Sequence, residues 1–295
     1  MNLLPYIVTL SVVCIWGSTF VSSKVLLTNG LTPADIFFYR FLMAYACLAM
    51  MNRKRWRCDS VTDELTMMGL GVMGGSLYFL TENYALVFST TSNASILVSS
   101  TPLLTALVVG ACYRSERLNR RQVLFSLLAF VGMAMIVMNG QLILHLSPLG
   151  DFLAIMAALT WAFYSLLMKK VAGHYSSLFI TRKVFFYGLI TILPYFLLFK
   201  PLQMDTALFA MPKITLNLLF LGLIASIGCY LAWNWVLSRI SIVKATTFLY
   251  MQCLVTMITS RIILSERITW MALLGTIVLI LGMAGVQKAK VQGKA

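Results

Sequence analysis

Ten runs of about 20 apolar residues, separated by short charged turns, leave this chain little choice of solvent. They lie at 5–26, 33–52, 65–87, 92–112, 122–139, 149–168, 177–199, 214–237, 243–264 and 270–287. Each is long enough for an α-helix to cross the hydrocarbon layer, and none shows the alternation of a barrel strand. Composition agrees, with 60% of residues hydrophobic, 11% charged and a mean hydropathy of +0.88. A soluble domain carries roughly 25% charged residues. Lipid offers backbone groups no water, so each span has to satisfy its own amides as a helix. The sequence therefore predicts an all-α integral membrane protein with ten transmembrane helices. The first run could pass for a leader, but it lacks a positively charged start and further spans come at once after it. It reads as a retained first helix.

The formal charge of +14 would suggest nucleic acid in a soluble protein. Here Lys and Arg fall in short turns, as the positive-inside rule expects, and too few polar residues remain to build a basic face. With the N-terminus placed in the cytoplasm, 17 of the 23 Lys and Arg fall on the inner side, five fall outside, and Arg40 sits inside span 2. Both termini are thus expected to be cytoplasmic, with the bias strongest in the first half. The six cysteines are scattered with no CxxC pair, so they read as small buried hydrophobes and not as disulfides or metal ligands. No cofactor or metal is called for.

The chain also repeats itself. Ser-Glu-Arg opens a turn at 115–117 and again at 265–267, each followed at the same distance by Gly-Met-Ala (132–134 and 282–284). A shift of about 150 residues lays Asn83 on Asn234, Ala94 on Ala245 and Glu116 on Glu266; at a shift of 145, Trp16 meets Trp161 and Lys24 meets Lys169. The chain reads as two five-helix units, residues 1–140 and 141–295. Five is odd, so the second unit must lie upside down relative to the first, the inverted-repeat plan of secondary transporters. Asn119 and Thr269 stand where they can cap spans 5 and 10, and Gln122 completes a capping box in the first copy. The charged residues of the two turns, which face opposite sides, read as helix-hairpin architecture placed just outside the membrane.

"WGSTFVSSK" in span 1, "LTPADIFFYRFLMAY" entering span 2 and "NYALVFSTTSNASILVSSTPLLTALV" through spans 3 and 4, with "SERLNRRQ" and "GMA" after them, resemble the EamA family of the drug/metabolite transporter superfamily. The resemblance covers nearly the whole chain, and the second repeat matches more loosely. It implies ten helices, an inverted repeat, and export or exchange of small metabolites across the bacterial cytoplasmic (inner) membrane. Substrates in that family range from amino acids to drugs and other metabolites.

Polar residues inside a membrane are costly, so each is a candidate for function. Glu82 is the most isolated acid in an apolar run. At helical spacing Gly71, Gly75, Tyr78, Glu82 and Ser89 form a stripe, in which the glycine pair permits close helix approach, within the chain or in a dimer. Glu82 either binds a substrate amine or carries a proton; the plainer alternatives pair it with Arg40 or leave it hydrated near the surface. Ser95 and Ser99 in span 4 share a face with Pro102. Their counterparts are Thr246, Tyr250 and Cys253 in span 9, and the two faces together suggest a pathway wall. Asn83, which the repeat lays on Asn234, joins the candidates. Trp161 and Trp233 lie deep enough in their spans to face an apolar or cationic substrate. Arg40 either holds a carboxylate or snorkels to the interface.

These readings combine into a secondary transporter for amino-acid-like or amphipathic metabolites. It would work by alternating access around a cavity lined by spans 3, 4, 8 and 9, with contributions from spans 1 and 6 and with proton coupling through Glu82 as one option. Its partners would be a small-molecule substrate and membrane lipid, with the protein a monomer or homodimer. There is no Walker loop for ATP. A membrane enzyme is poorly supported, since His145 and His174 lie far apart in loops and neither HExxH nor GxSxG occurs. A flippase for a lipid-linked sugar would share the architecture and remains the alternative.

Overall fold

A computed structural model describes residues 3–51, 56–89, 97–138, 147–263 and 269–288. Among them every regular element is helical. We number the main helices α1 (Leu4–Thr28), α2 (Pro33–Met51), α3 (Val61–Gly71), α4 (Leu77–Phe88), α5 (Thr101–Cys112), α6 (Arg120–Met138), α7 (Pro148–Val171), α8 (Ser177–Leu198), α9 (Pro212–Leu219), α10 (Cys229–Leu237), α11 (Ile242–Thr247), α12 (Met251–Ile263) and α13 (Trp270–Lys288). Seven helical stretches among the described residues are long and apolar enough to cross a membrane. The protein is a multi-pass membrane protein.

Local chemistry explains where the helices begin. Pro33 and Pro148 occupy first-turn positions, where a missing N–H costs nothing. Thr32 and Asp35 cap each other's amides, the Thr32 N–H meeting Asp35 Oδ2 at 2.9 Å. The Asn119–Gln122 capping box forms as expected: Asn119 N–H donates to Gln122 Oε1 at 3.0 Å and Gln122 N–H to Asn119 Oδ1 at 2.8 Å. Thr269 receives the Ala272 N–H at 3.4 Å.

Two spans that the sequence presents as unbroken are not regular. The segment 65–87 contains a π-helical turn at Val72–Ser76, where Gly75 leaves the helical region at φ −124°, ψ −106°. The segment 214–237 contains a longer π-helical stretch at Phe220–Gly228. A π turn admits an extra residue and rotates the face presented by the helix beyond it. The glycine stripe is therefore split. Gly71 and Gly75 face α8 and α2: a Cβ at Gly71 would lie 2.9 Å from the Gly188 nitrogen, and one at Gly75 3.2 Å from the Phe41 ring. This close approach is internal to the chain, while Tyr78 and Glu82 beyond the turn look elsewhere.

The helices pack in matched pairs. α1 lies against α10 and α12, while α7 lies against α4 and α5. α2 packs on the second π segment and α8 on the first; α2 meets α8, and α6 runs along α13. Exchanging the first half of the chain for the second interchanges the contacts of α1 with those of α7 and the two π-segment contacts with each other, and returns α2–α8 and α6–α13 to themselves. The repeated Gly-Met-Ala finds its cause here: Gly132 sits against the backbone of Gly275 and Leu279, and Gly282 against that of Ala129, so α6 and α13 touch where no larger side chain fits.

Candidate substrate cavity

The π turns set up the site. A π turn leaves backbone carbonyls without their usual partners, and here aromatic donors from the other half take them. The Tyr230 hydroxyl donates to Gly74 O at 2.6 Å, and Trp16 Nε1–H donates to Ala225 O at 3.1 Å. Both rings are thereby fixed beside Trp161: Trp16 meets it edge-on at 5.4 Å between centroids, and Tyr230 at 6.1 Å. A partly open cavity lies among them, its wall including Trp16, Tyr78, Glu82, Ser99, Trp161 and Tyr230.

Two opposite charges face this space. Glu82 is half-buried and accepts a 2.7 Å hydrogen bond from the Tyr78 hydroxyl one turn earlier. Arg40 is only 3% exposed. Its Nε donates to Ser226 Oγ at 3.0 Å, in the second π segment, and its guanidinium lies 4.4 Å from the centroid of the Phe79 ring. Arg40 thus does not snorkel to the interface as its place in the repeat suggested, because Ser226 and Phe79 hold it on the cavity wall. Neither Glu82 nor Arg40 forms an ion pair among the described residues. Arg40 and Glu82 sense each other's charge across this space without closing an ion pair, so a group carrying both charges would meet a complementary one at each end. The wall has one more unused group: Trp161 is 5% exposed, and its Nε1–H has no hydrogen-bond partner.

Four of the expected residues, Tyr78, Glu82, Ser99 and Trp161, meet on this cavity. Ser99 Oγ also lies 3.1 Å from Cys253 Sγ, so the matched faces of spans 4 and 9 touch. The others go elsewhere. Asn83 is buried away from the cavity wall. Trp233, with no exposed surface, stands behind the wall against Trp16 at 5.2 Å. Tyr250 is buried in a cluster with Met133, Ile136 and Leu279 between α6 and α13. Thr246 bonds back to Ile242 O at 3.0 Å within its own helix. Ser95 lies outside the described residues. Among the described residues no group of three or more His, Cys, Asp and Glu could hold a metal.

Sequence reasoning left Trp16, Tyr230 and Gln252 out of the wall and gave Arg40 a substrate role only as one of two alternatives. Signals for two of them were available: Trp16 matches Trp161 in the repeat, and Arg40 is a charge inside a span. Gln252 carried no such mark.

A polytopic helical bundle with a charged, aromatic cavity at its centre describes a membrane transporter. The EamA-like transporter family matches residues 3–138 and 148–287, and the chain belongs to that family. It is 27% identical to the uncharacterized Bacillus subtilis transporter YcxC, over 95% of this chain and 91% of that one. It is 26% identical to an Escherichia coli protein named "probable amino-acid metabolite efflux pump", over 94% and 92% of the two chains. A Streptantibioticus cattleyicolor protein named "probable terminal-alkyne amino-acid exporter" is 26% identical over 92% of this chain and 88% of its own. A solved crystal structure superposes with a TM-score of 0.77 over 97% of this chain and 98% of its own at 14% identity, a shared fold.

Proposed function

We propose that this transporter exports or exchanges small zwitterionic metabolites of the amino-acid type. The observation that carries the reading is the pair Arg40 and Glu82, opposite in charge and unpaired with each other, facing one aromatic cavity. Arg40 receives the substrate carboxylate and Glu82 the ammonium. Tyr78 positions Glu82, Ser99 and the Trp161 N–H supply further hydrogen bonds, and the rings of Trp16 and Trp161 pack on the substrate's side chain. The names of the Escherichia coli and Streptantibioticus relatives agree with amino-acid export. The charge pair favours a soluble zwitterion over a lipid-linked sugar.

The matched helix packing and the two π segments, one in each half, support an inverted repeat of residues 1–140 and 141–295 built from ten spans. Transport then proceeds by alternating access as the halves rock about the cavity. The asymmetry of Lys and Arg supports cytoplasmic termini in a bacterial inner membrane. Once the substrate has gone, Glu82, the one acid on the wall among the described residues, takes up a proton and couples export to proton entry.

The test is counterflow of radiolabelled amino acids into proteoliposomes. The wild type accumulates label; Glu82→Gln and Arg40→Gln each reduce accumulation by at least tenfold while eluting as folded protein. If both variants accumulate label like the wild type, the zwitterion reading falls.

A further inference from the structure

The Ser-Glu-Arg turn of the first half does more than shape a hairpin. Glu116 is 4% exposed, so it does not sit in water beside Arg117, which instead donates from Nε to Gly110 O at 2.9 Å. The Glu116 carboxylate reaches into the second half of the chain. Oε1 accepts from Lys169 Nζ at 2.7 Å; Oε2 accepts from Ser241 Oγ at 2.5 Å and from the Val243 N–H at 3.4 Å. One buried side chain thus joins three elements: the turn after α5, the last turn of α7, and the start of α11.

Each of these elements lines the cavity farther along. α5 begins at Thr101, α7 carries Trp161, and Leu249 comes just after α11, all three on the cavity wall. Trp161 and Lys169 are eight residues apart on one helix, about 12 Å along its axis. The carboxylate therefore ties together, one level beyond the cavity, the elements that would have to separate for substrate to leave by that end. Other polar ties near this end join different pairs of elements, Lys244 and Gln287 tying α11 to α13. Glu64 holds Lys183 and Tyr187, and Asp63 accepts from Tyr175 at 2.7 Å, linking α3 to α8 and its approach. Those helices already touch through Gly71 and Gly188. At the opposite end of α1, Lys24, the sequence counterpart of Lys169, is exposed and forms no ion pair among the described residues.

We propose that Glu116 is a gate latch: its bonds to Lys169 and Ser241 hold this end of the bundle shut, and they break in the half-cycle that opens the cavity there. This rests on the alternating-access reading above. A buried, charge-assisted tie of this kind sets the closed-to-open ratio while leaving the cavity walls intact.

The experiment places spin labels on Arg114→Cys and Lys170→Cys, both exposed positions flanking the latch, in full-length protein in nanodiscs with the native cysteines replaced. Double electron–electron resonance reads the distance between them. The parent should show mainly the short distance. Glu116→Gln should raise the ratio of long to short distances by about tenfold, and Lys169→Gln should do the same, since removing either side of a charged hydrogen bond weakens the closed state by that order. Ser241→Ala keeps the ion pair and provides a milder variant, shifting the ratio by about threefold in the same direction. An unchanged distribution in Glu116→Gln and Lys169→Gln overturns the latch. Counterflow measured on the same samples separates the two claims: a shifted distribution without amino-acid transport by the parent retains the latch and removes the substrate reading, and normal transport with an unshifted distribution does the reverse.

Discussion

The segments 72–88 and 220–237, which the sequence repeat lays over each other, begin alike. Each opens with a π-helical stretch, and each stretch gives up a carbonyl to an aromatic donor from the other half. Each also places a serine against the neighbouring helix. Ser76 Oγ lies 2.8 Å from Thr191 Oγ1, and Ser226 Oγ receives Arg40 Nε at 3.0 Å. Beyond that point they part. The first segment turns Tyr78 and Glu82 to the cavity, whereas the second puts the buried Trp233 at the position matching Glu82. Backbone irregularity is what the halves share, and chemistry is where they differ. The shared part sets the helix paths; the divergent part gives the cavity wall Glu82, its one acid among the described residues.

The likeness of the two segments is most vulnerable at the glycines. A Cβ at Gly74 would fall on the ring of Tyr164, a buried side chain that also hydrogen-bonds Asn234 and has nowhere to move. Gly74→Ala should cost on the order of 3 kcal/mol, the upper range for overpacking. At Gly228, in the other π segment, the nearest atom to a Cβ is Leu223 O at 3.9 Å. Gly228→Ala should therefore stay within about 0.5 kcal/mol of the parent. Denaturation of the two variants in detergent checks both. Equal losses would mean that the first π turn has no special need for glycine at 74.

The clamps come next. Tyr230→Phe removes the donor to Gly74 O and should destabilise by about 1–3 kcal/mol, the cost of a buried carbonyl left unmet. Trp16→Phe removes the donor to Ala225 O and should act in the same direction. A destabilisation in one variant and none in the other would show that only one π segment depends on its cross-half donor.

Much of this fold was legible in the chain. Spans 33–52 and 177–199 match α2 and α8 to within a residue at each end, because Pro33 and Ser176 mark their starts unambiguously. The π turns were not legible, since a run of apolar residues reads the same whether one turn holds an extra residue or not. Span 243–264 also looked unbroken, yet it divides into α11, a 3-10 turn at Phe248–Tyr250 and α12. In the site, Glu82 announced itself as a lone acid in an apolar run. Arg40 was equally visible, but its fate depends on Ser226, 186 residues away, which no local pattern encodes. Glu116 was visible through the repeat. Its burial comes from Lys169 and Ser241 arriving from the other half, so the turn looked solvated when read alone.

The smallest expected effect tests the divergence of the halves most finely. Trp161 and Trp233 are both buried, and both have an Nε1–H without a partner. Only Trp161 borders the cavity. If an unused donor matters because a substrate can reach it, replacing each indole by a ring without an N–H should separate the two. Trp161→Phe should weaken amino-acid binding by about 3- to 10-fold, the worth of one net hydrogen bond. Trp233→Phe loses no hydrogen bond and touches no substrate, so its Kd should stay within about twofold of the parent. Isothermal titration of both proteins with one transported amino acid decides it. Equal weakening would mean that Trp161 acts through packing alone, and would leave Arg40 and Glu82 as the polar groups that orient the substrate.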